Sequence, residues 1–184
     1  ANAAEIVETL VATLDARFDD ERRALAAARG LSVFEVLTLA SIVEKETGKA
    51  DERPRIAAVF LNRLKAGMRL QSDPTIIYGL VAGKGKLERP ITQSDLDSDT
   101  PYNTYRINGL PPTPIASPGK DAMEAVINPA PVADLYFVAD GTGGHVFELA
   151  RGRIPLPPLG QSHRQTAPMR TRQAADKWLV ESAI

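Results

Sequence analysis

Apolar residues recur at helical spacing along residues 37–48, where Leu39, Ile42 and Val43 share one face and Thr38, Ser41 and Lys45 the opposite one. Glu46 stands seven residues after Leu39 and therefore falls on the apolar face. Glu44 falls on a more polar flank, beside Ala40 and Ser41. Ser32 opens this helix as a capping box with Glu35 three residues on, and Gly48 is expected to close it. A second helix follows, with Pro54 in its first turn, Ile56, Val59, Phe60 and Leu64 as its apolar face and Gly67 as its stop. The connection over residues 47–53 is too short to separate the two helices, which are expected to form an antiparallel or steeply crossed pair.

The same reading extends in both directions. The first thirty residues read as helix, with Ile6, Leu10, Val11 and Leu14 as packing material and a charged break around Phe18. Asp73 before Pro74 starts a helix that Gly79 is expected to stop, and Thr92 begins a short capped one. Ser117 is expected to cap a helix with Pro118 at its first position, running to Asn128. Residues 135–139 and 145–149 flank a Gly-rich turn and read as a β-hairpin, with His145 just past the turn. Residues 167–184, carrying Trp178 and Leu179, read as a terminal helix. The expected fold class is α+β, mainly helical with one small antiparallel hairpin, and residues 1–184 are expected to form a single domain.

Composition narrows the function classes. With 184 residues, 43% hydrophobic and 24% charged, the chain is long enough for a substantial core. A formal net charge of −1 removes the simplest electrostatic case for binding nucleic acid or an anionic membrane. The sequence holds no cysteine and two histidines, so neither a disulfide framework nor a zinc site is expected, and no cofactor is called for. No apolar run is long enough to cross a bilayer. Gly79, Gly83, Lys84 and Gly85 resemble a phosphate loop only superficially, because the spacing is short and no Ser or Thr follows the lysine.

Three clusters can carry chemistry. A carboxyl group among branched aliphatics loses hydration when ionised, so Glu46 would hold its proton near neutrality as a general acid must; a frayed, solvated helix end is the other reading. Gln71, Ser72 and Asp73 lie at a helix mouth rich in donors and acceptors, where Asp73 either helps hold a sugar or only caps. Tyr102, Asn103, Thr104 and Tyr105 lie in one loop before a proline-rich segment, a surface able to stack on sugar rings and bond their amides, or an ordinary ordered loop. As a loop amide serving substrate, Asn103 is expected to contribute little to the core.

Several long stretches, in this order, resemble the YceG-like family of endolytic murein transglycosylases. They are Ala-Ser-Ile-Val-Glu-Lys-Glu-Thr at residues 40–47, Val-Phe-Leu-Asn-Arg-Leu at 59–64 and Gly-Met-Arg-Leu-Gln-Ser-Asp-Pro-Thr at 67–75. Tyr-Asn-Thr-Tyr at 102–105, Gly-Leu-Pro-Pro at 109–112, Ile-Ala-Ser-Pro-Gly at 115–119 and Tyr-Phe-Val-Ala-Asp-Gly at 136–141 follow. The resemblance implies a lytic-transglycosylase, lysozyme-like active-site helix and cleavage of peptidoglycan glycan strands between N-acetylmuramic acid and N-acetylglucosamine, leaving 1,6-anhydro ends. It implies that Glu46 is the catalytic acid and then the base; no metal is expected, and Glu44, Asn62 and His145 are supporting candidates, although a lone His such as His145 is more often structural than catalytic. It further implies an upstream membrane anchor and LysM-like portion, an extracytoplasmic place in the bacterial envelope, and cell-wall synthesis enzymes as partners. Members usually carry a second His and an Asn soon after the hairpin. Here residues 151–160 intervene and His163 is followed by Arg164, so His163 receives no role. The alternatives are a non-catalytic peptidoglycan-binding module and an inactive scaffold of the cell-wall synthesis machinery.

Overall fold

A computed structural model describes residues 2–81 and 84–133 of the chain. Among them are seven helices: α1 (Ala3–Arg17), α2 (Asp20–Ala28), α3 (Val33–Glu46), α4 (Arg53–Lys65), α5 (Asp73–Val81), α6 (Gln93–Leu96) and α7 (Lys120–Ile127). No strand occurs among the described residues. The hairpin expected at 135–149, with His145, and the terminal helix expected at 167–184 lie outside them.

The core forms where α3, α4 and α7 pack on one another, with α2 and α5 against α3. Leu39, Ile42 and Val43 of α3 meet Ile56 and Phe60 of α4 and Val126 and Ile127 of α7, all at most 2% exposed. Fully burying aliphatic side chains of this size contributes about 1.5–3 kcal/mol each. The capping box at Ser32 forms as its sequence predicts: the Glu35 amide donates to Ser32 Oγ, and the Ser32 amide donates back to Glu35 at 2.8 Å. That bond holds the Glu35 carboxyl below its ordinary pKa. Pro54 lies in the first turn of α4, and Gly67 follows its end at φ +67°, a conformation glycine adopts without strain.

α3 departs from a two-faced wheel because it runs through the interior. Thr38 and Ser41, expected on a polar flank, are 1% and 0% exposed. Thr38 donates to the Phe34 carbonyl and Ser41 to that of Thr38, so neither hydroxyl is buried unpaired. Ser41 also receives the Ile115 amide at 2.9 Å, which docks the proline-rich segment against the helix.

Three other expectations change. α3 ends not through a left-handed glycine but through Thr47, which turns to extended backbone and bonds the Lys49 amide and the Glu52 carboxylate. Gly79 does not stop α5, which continues to Val81. A Cβ there would sit 2.5 Å from Thr100 Oγ1 and 3.2 Å from Tyr102 Cβ, so glycine permits close packing instead. The helix expected from Ser117 starts at Lys120, capped by Gly119.

At the N-terminal end, the charged break separates α1 from α2 at Phe18, a core residue 1% exposed with Arg23 over its ring. The packing expected of the first helix is corrected: no α1 residue is buried, and among its apolar residues Leu14 packs on the core while Ile6, Leu10 and Val11 are more than half exposed. No single helix among the described residues is long and apolar enough to cross a membrane.

Candidate active site

Glu46 is the last residue of α3, where the apolar stripe of Leu39, Ile42 and Val43 runs out. It is not a frayed end. Its carboxyl is partly buried, and the Ser72 hydroxyl donates to Oε1 at 2.6 Å. Loss of hydration pushes the pKa up to about 7 from an ordinary 4.5; the Ser72 bond opposes this, the negative charge of Asp73 adds to it, and the Arg63 guanidinium opposes it. Near pH 7 such a carboxyl is close to half protonated, so it can give a proton in one step and accept one in the next.

The partner surface comes from two short segments. Residues 70–73 lead into α5, and Gln71 holds φ +54°, a left-handed conformation unusual for a residue with a side chain. Its amide donates to the Thr104 carbonyl at 3.1 Å, and the Ser72 amide to Thr104 Oγ1 at 2.9 Å, so the segment is stitched to the 102–106 loop. Tyr105 donates its hydroxyl to Asp73 Oδ1 at 2.7 Å, and its carbonyl accepts from Arg69. Gln71, Asp73 and Tyr105 remain partly exposed, and the charge of Asp73 acts on Glu46.

Four members of the expected sugar-binding set have side chains taken up by bonds and packing within the chain, that of Ser72 by its bond to Glu46. Asn103 is corrected most sharply: it is 0% exposed, its amide donates to the Leu96 and Ser98 carbonyls, and its Oδ1 accepts from the Tyr105 amide. Thr104 and Ser72 are also buried, at 0% and 1%. Tyr102 packs edge-on to Tyr78, ring centroids 4.8 Å apart, with its hydroxyl on Thr113. These side chains build the loop that carries the site, and polar sequence alone does not separate a residue that builds a loop from one the loop presents.

The supporting candidates divide in the same way. Glu44 turns away from Ser72: Arg53 of α4 donates to its Oε1 at 2.9 Å and the Gly119 amide to its Oε2 at 3.0 Å, so it ties α3 to α4 and to the start of α7. Asn62 donates to the Val132 carbonyl and holds the chain after α7 against α4. His145 lies outside the described residues. Sequence reasoning missed Thr75 and Arg63. Thr75 carries no periodic signal, but Arg63 falls on the helix face of Val59 and Phe60, where a cation needs a buried partner, and it donates to the Leu70 carbonyl just before Gln71.

Two cavities, of about 400 and 500 Å³, open elsewhere, under Phe34 and Leu110 and beside Phe18 and Met123; neither touches Glu46. The geometry gathers Glu46, Ser72, Asp73 and Tyr105 through the Ser72–Glu46 and Tyr105–Asp73 bonds, one carboxyl of raised pKa beside an ordered polar surface.

The model of the YceG-like family matches residues 1–150. The chain belongs to the YceG-like family. A family relative from Bacillus subtilis (strain 168), named an endolytic murein transglycosylase, is 44% identical over 117 residues, covering 64% of this chain and 31% of that protein. A protein of the same name from Streptococcus pneumoniae serotype 2 (strain D39 / NCTC 7466) is 40% identical over 147 residues, covering 77% of this chain and 26% of that protein. The chain thus spans less than a third of the length of these curated relatives. A crystal structure of a yceG-like protein from Listeria monocytogenes superposes with a TM-score of 0.67 at 41% identity, over 76% of this chain and 44% of that one.

Proposed function

We propose that this YceG-like chain is the catalytic part of an endolytic peptidoglycan lytic transglycosylase, with Glu46 on a lysozyme-like active-site helix as its single acid and base. The observation that carries the reading is the Glu46 carboxyl, raised to a pKa of about 7 and oriented by Ser72. The relatives' shared name, endolytic murein transglycosylase, supports the substrate class. Protonated Glu46 gives its proton to the glycosidic oxygen as the bond from the muramic acid anomeric carbon breaks. The carboxylate left behind takes the proton of the 6-hydroxyl as that oxygen bonds to the anomeric carbon. The proton is thereby restored, a 1,6-anhydro end forms, and no water is consumed. Hydrolytic glycosidases need a second carboxylate for a nucleophile or for water activation, and an internal hydroxyl removes that need. Gln71, Asp73 and Tyr105 face the sugar, and residues 1–184 act as one catalytic unit.

A strand-cutting enzyme of this class works outside the cytoplasmic membrane, held there by an upstream single-pass anchor, and ends growing glycan strands beside the cell-wall synthesis enzymes. Digestion of purified sacculi followed by mass analysis tests the reading. The expected products carry anhydromuramyl ends, lighter by one water than hydrolytic ones and resistant to borohydride. Reducible muramic acid ends would identify a muramidase, and intact sacculi a binding module.

A further inference from the structure

Behind the Ser72 side chain, two buried threonines close a ring of hydrogen bonds around the backbone amide and carbonyl of that one residue. The Ser72 amide donates to Thr104 Oγ1 at 2.9 Å, the Thr104 and Thr75 hydroxyl oxygens lie 2.8 Å apart, and Thr75 Oγ1 donates to the Ser72 carbonyl at 2.6 Å. A hydroxyl carries one proton. Thr75 places its own on the Ser72 carbonyl, so the proton between the two threonines belongs to Thr104, whose oxygen in turn receives the Ser72 amide. Every donor in the ring meets an acceptor. The Ser72 side-chain hydroxyl takes no part in it and is left to Glu46 Oε1.

Burial makes this arrangement more than a packing convenience. Thr75 and Thr104 are 0% exposed, and valine would fill either place without desolvating a hydroxyl, a burden of about 1–3 kcal/mol per unmatched group. The preceding residue is Gln71 at φ +54°, whose amide is held by the Thr104 carbonyl. A residue kept in a sparsely populated conformation persists only where its surroundings determine it, and here Thr104 grips the peptides on both sides of Gln71's Cα–C bond.

We propose that Thr75 and Thr104 are positioning residues for the catalytic acid. Their ring fixes the strained Gln71–Ser72 peptide so that the Ser72 hydroxyl is aimed at Glu46 Oε1, leaving Oε2 as the oxygen that gives and retakes the proton. The proposal rests on the reading of Glu46 as acid and base. The charged groups acting on Glu46 from the packed elements are Arg63 of α4 and Asp73 of α5, and the valine substitutions leave both in place. Since the Ser72 bond favours the carboxylate, losing its aim raises the proton affinity of Glu46 and frees its orientation.

The test compares wild type with Ser72→Ala, Thr75→Val, Thr104→Val and Thr104→Ser, reading turnover on sacculi against pH and following the Glu46 carboxyl by ¹³C NMR titration. Ser72→Ala and both valine variants are expected to lose kcat roughly tenfold with KM little changed, and to move the alkaline limb and the Glu46 titration upward by about one pH unit, the worth of one hydrogen bond to a charged group. Thr104→Ser, which keeps the hydroxyl, is expected to restore both. Valine variants that alter only the melting temperature, with the limb and the turnover per folded molecule unchanged, overturn the proposal. So does unfolding of both, which would make the hydroxyls servants of the fold alone. If wild type leaves sacculi uncut, the transglycosylase reading fails by itself, while the carboxyl titration still reports whether the ring controls Glu46.

Discussion

The segment around Ser72 and the helix α1 invert the usual division between inside and outside. Ser72, Thr75, Asn103 and Thr104 are polar and at most 1% exposed, whereas Ile6, Val7, Leu10 and Val11 are apolar and between 52% and 64% exposed. In the first region each buried polar group has a partner, and a fully matched polar network fixes one arrangement because any slip leaves a group unpaired in a low dielectric. In the second, local bonds maintain the helix: Asn2 and Glu5 form a capping box, and Thr9 and Thr13 donate to carbonyls one turn back. The difference teaches that burial follows from available partners, not from residue polarity, and that the polar interior is the part of this chain whose geometry is most closely determined.

The strongest way to break the comparison is at Glu46. If it is the proton donor and acceptor, Glu46→Gln keeps the shape, removes the transferable proton and lowers turnover on sacculi by roughly 10²- to 10⁴-fold. A fully active variant would leave the buried network without a catalytic purpose. Stability gives an independent reading with a definite sign. A carboxyl whose folded pKa is raised to about 7 from 4.5 favours the folded state fully below pH 4.5, and that contribution is lost as pH rises to about 7. The loss has an upper bound of about 3 kcal/mol, since one pH unit is worth about 1.4 kcal/mol and the site is only partly buried. Urea unfolding at pH 5 and pH 8 is expected to show this slope in wild type and its absence in Glu46→Gln.

The next effect falls on the loop. Asn103→Ala leaves the Leu96 and Ser98 carbonyls and the Tyr105 amide without their partner, all linked through a side chain 0% exposed. A destabilisation of about 2–3 kcal/mol is expected, read as a lower urea midpoint. An unchanged midpoint with weakened cleavage would return Asn103 to the substrate surface and undo the contrast between buried builders and exposed contacts.

What the sequence makes legible follows the range of the forces involved. The starts of α3, α4 and α5 and the place of Glu46 depend on residues within a turn or two, through caps, proline and a 3.6-residue period. The role of Asn103 depends on carbonyls at Leu96 and Ser98 whose position is set by α6, and that of Gly79 on the approach of Thr100. Neither leaves a periodic trace. Periodicity marks the apolar face of α1 correctly as a face, yet it carries no information about what lies opposite. Thr38 and Ser41 mislead for the converse reason: a helix that bonds its hydroxyls back to its own carbonyls can bury its polar side as readily as its apolar one.

A smaller effect separates Glu44 from Glu46. Glu44→Gln removes the charge that meets the Gly119 amide and Arg53, the Glu44 and Arg53 side chains being 26% and 12% exposed, and is expected to lower stability by about 1 kcal/mol. Turnover per folded molecule and its alkaline limb should stay where they are, because Glu44 faces α4 and α7 and not Ser72. A moved limb would mean that the two acids are coupled and that α3 presents both to the substrate.

The smallest effect is expected on α1, and it sharpens the comparison from the other side. Leu10 is 64% exposed, so Leu10→Gln loses little burial, keeps a residue of good helix propensity, and is expected to change stability by no more than about 0.5 kcal/mol. Leu39→Ala, at 0% exposure, is expected to cost about 2–5 kcal/mol under the same urea titration. The two leucines have similar surroundings in sequence, each in an apolar helical stripe near a threonine, so only their partners distinguish them. If Leu10→Gln lowers the midpoint as far as a core substitution does, the α1 face is covered in the folded chain, and the inversion between the two regions is confined to the polar interior around Ser72.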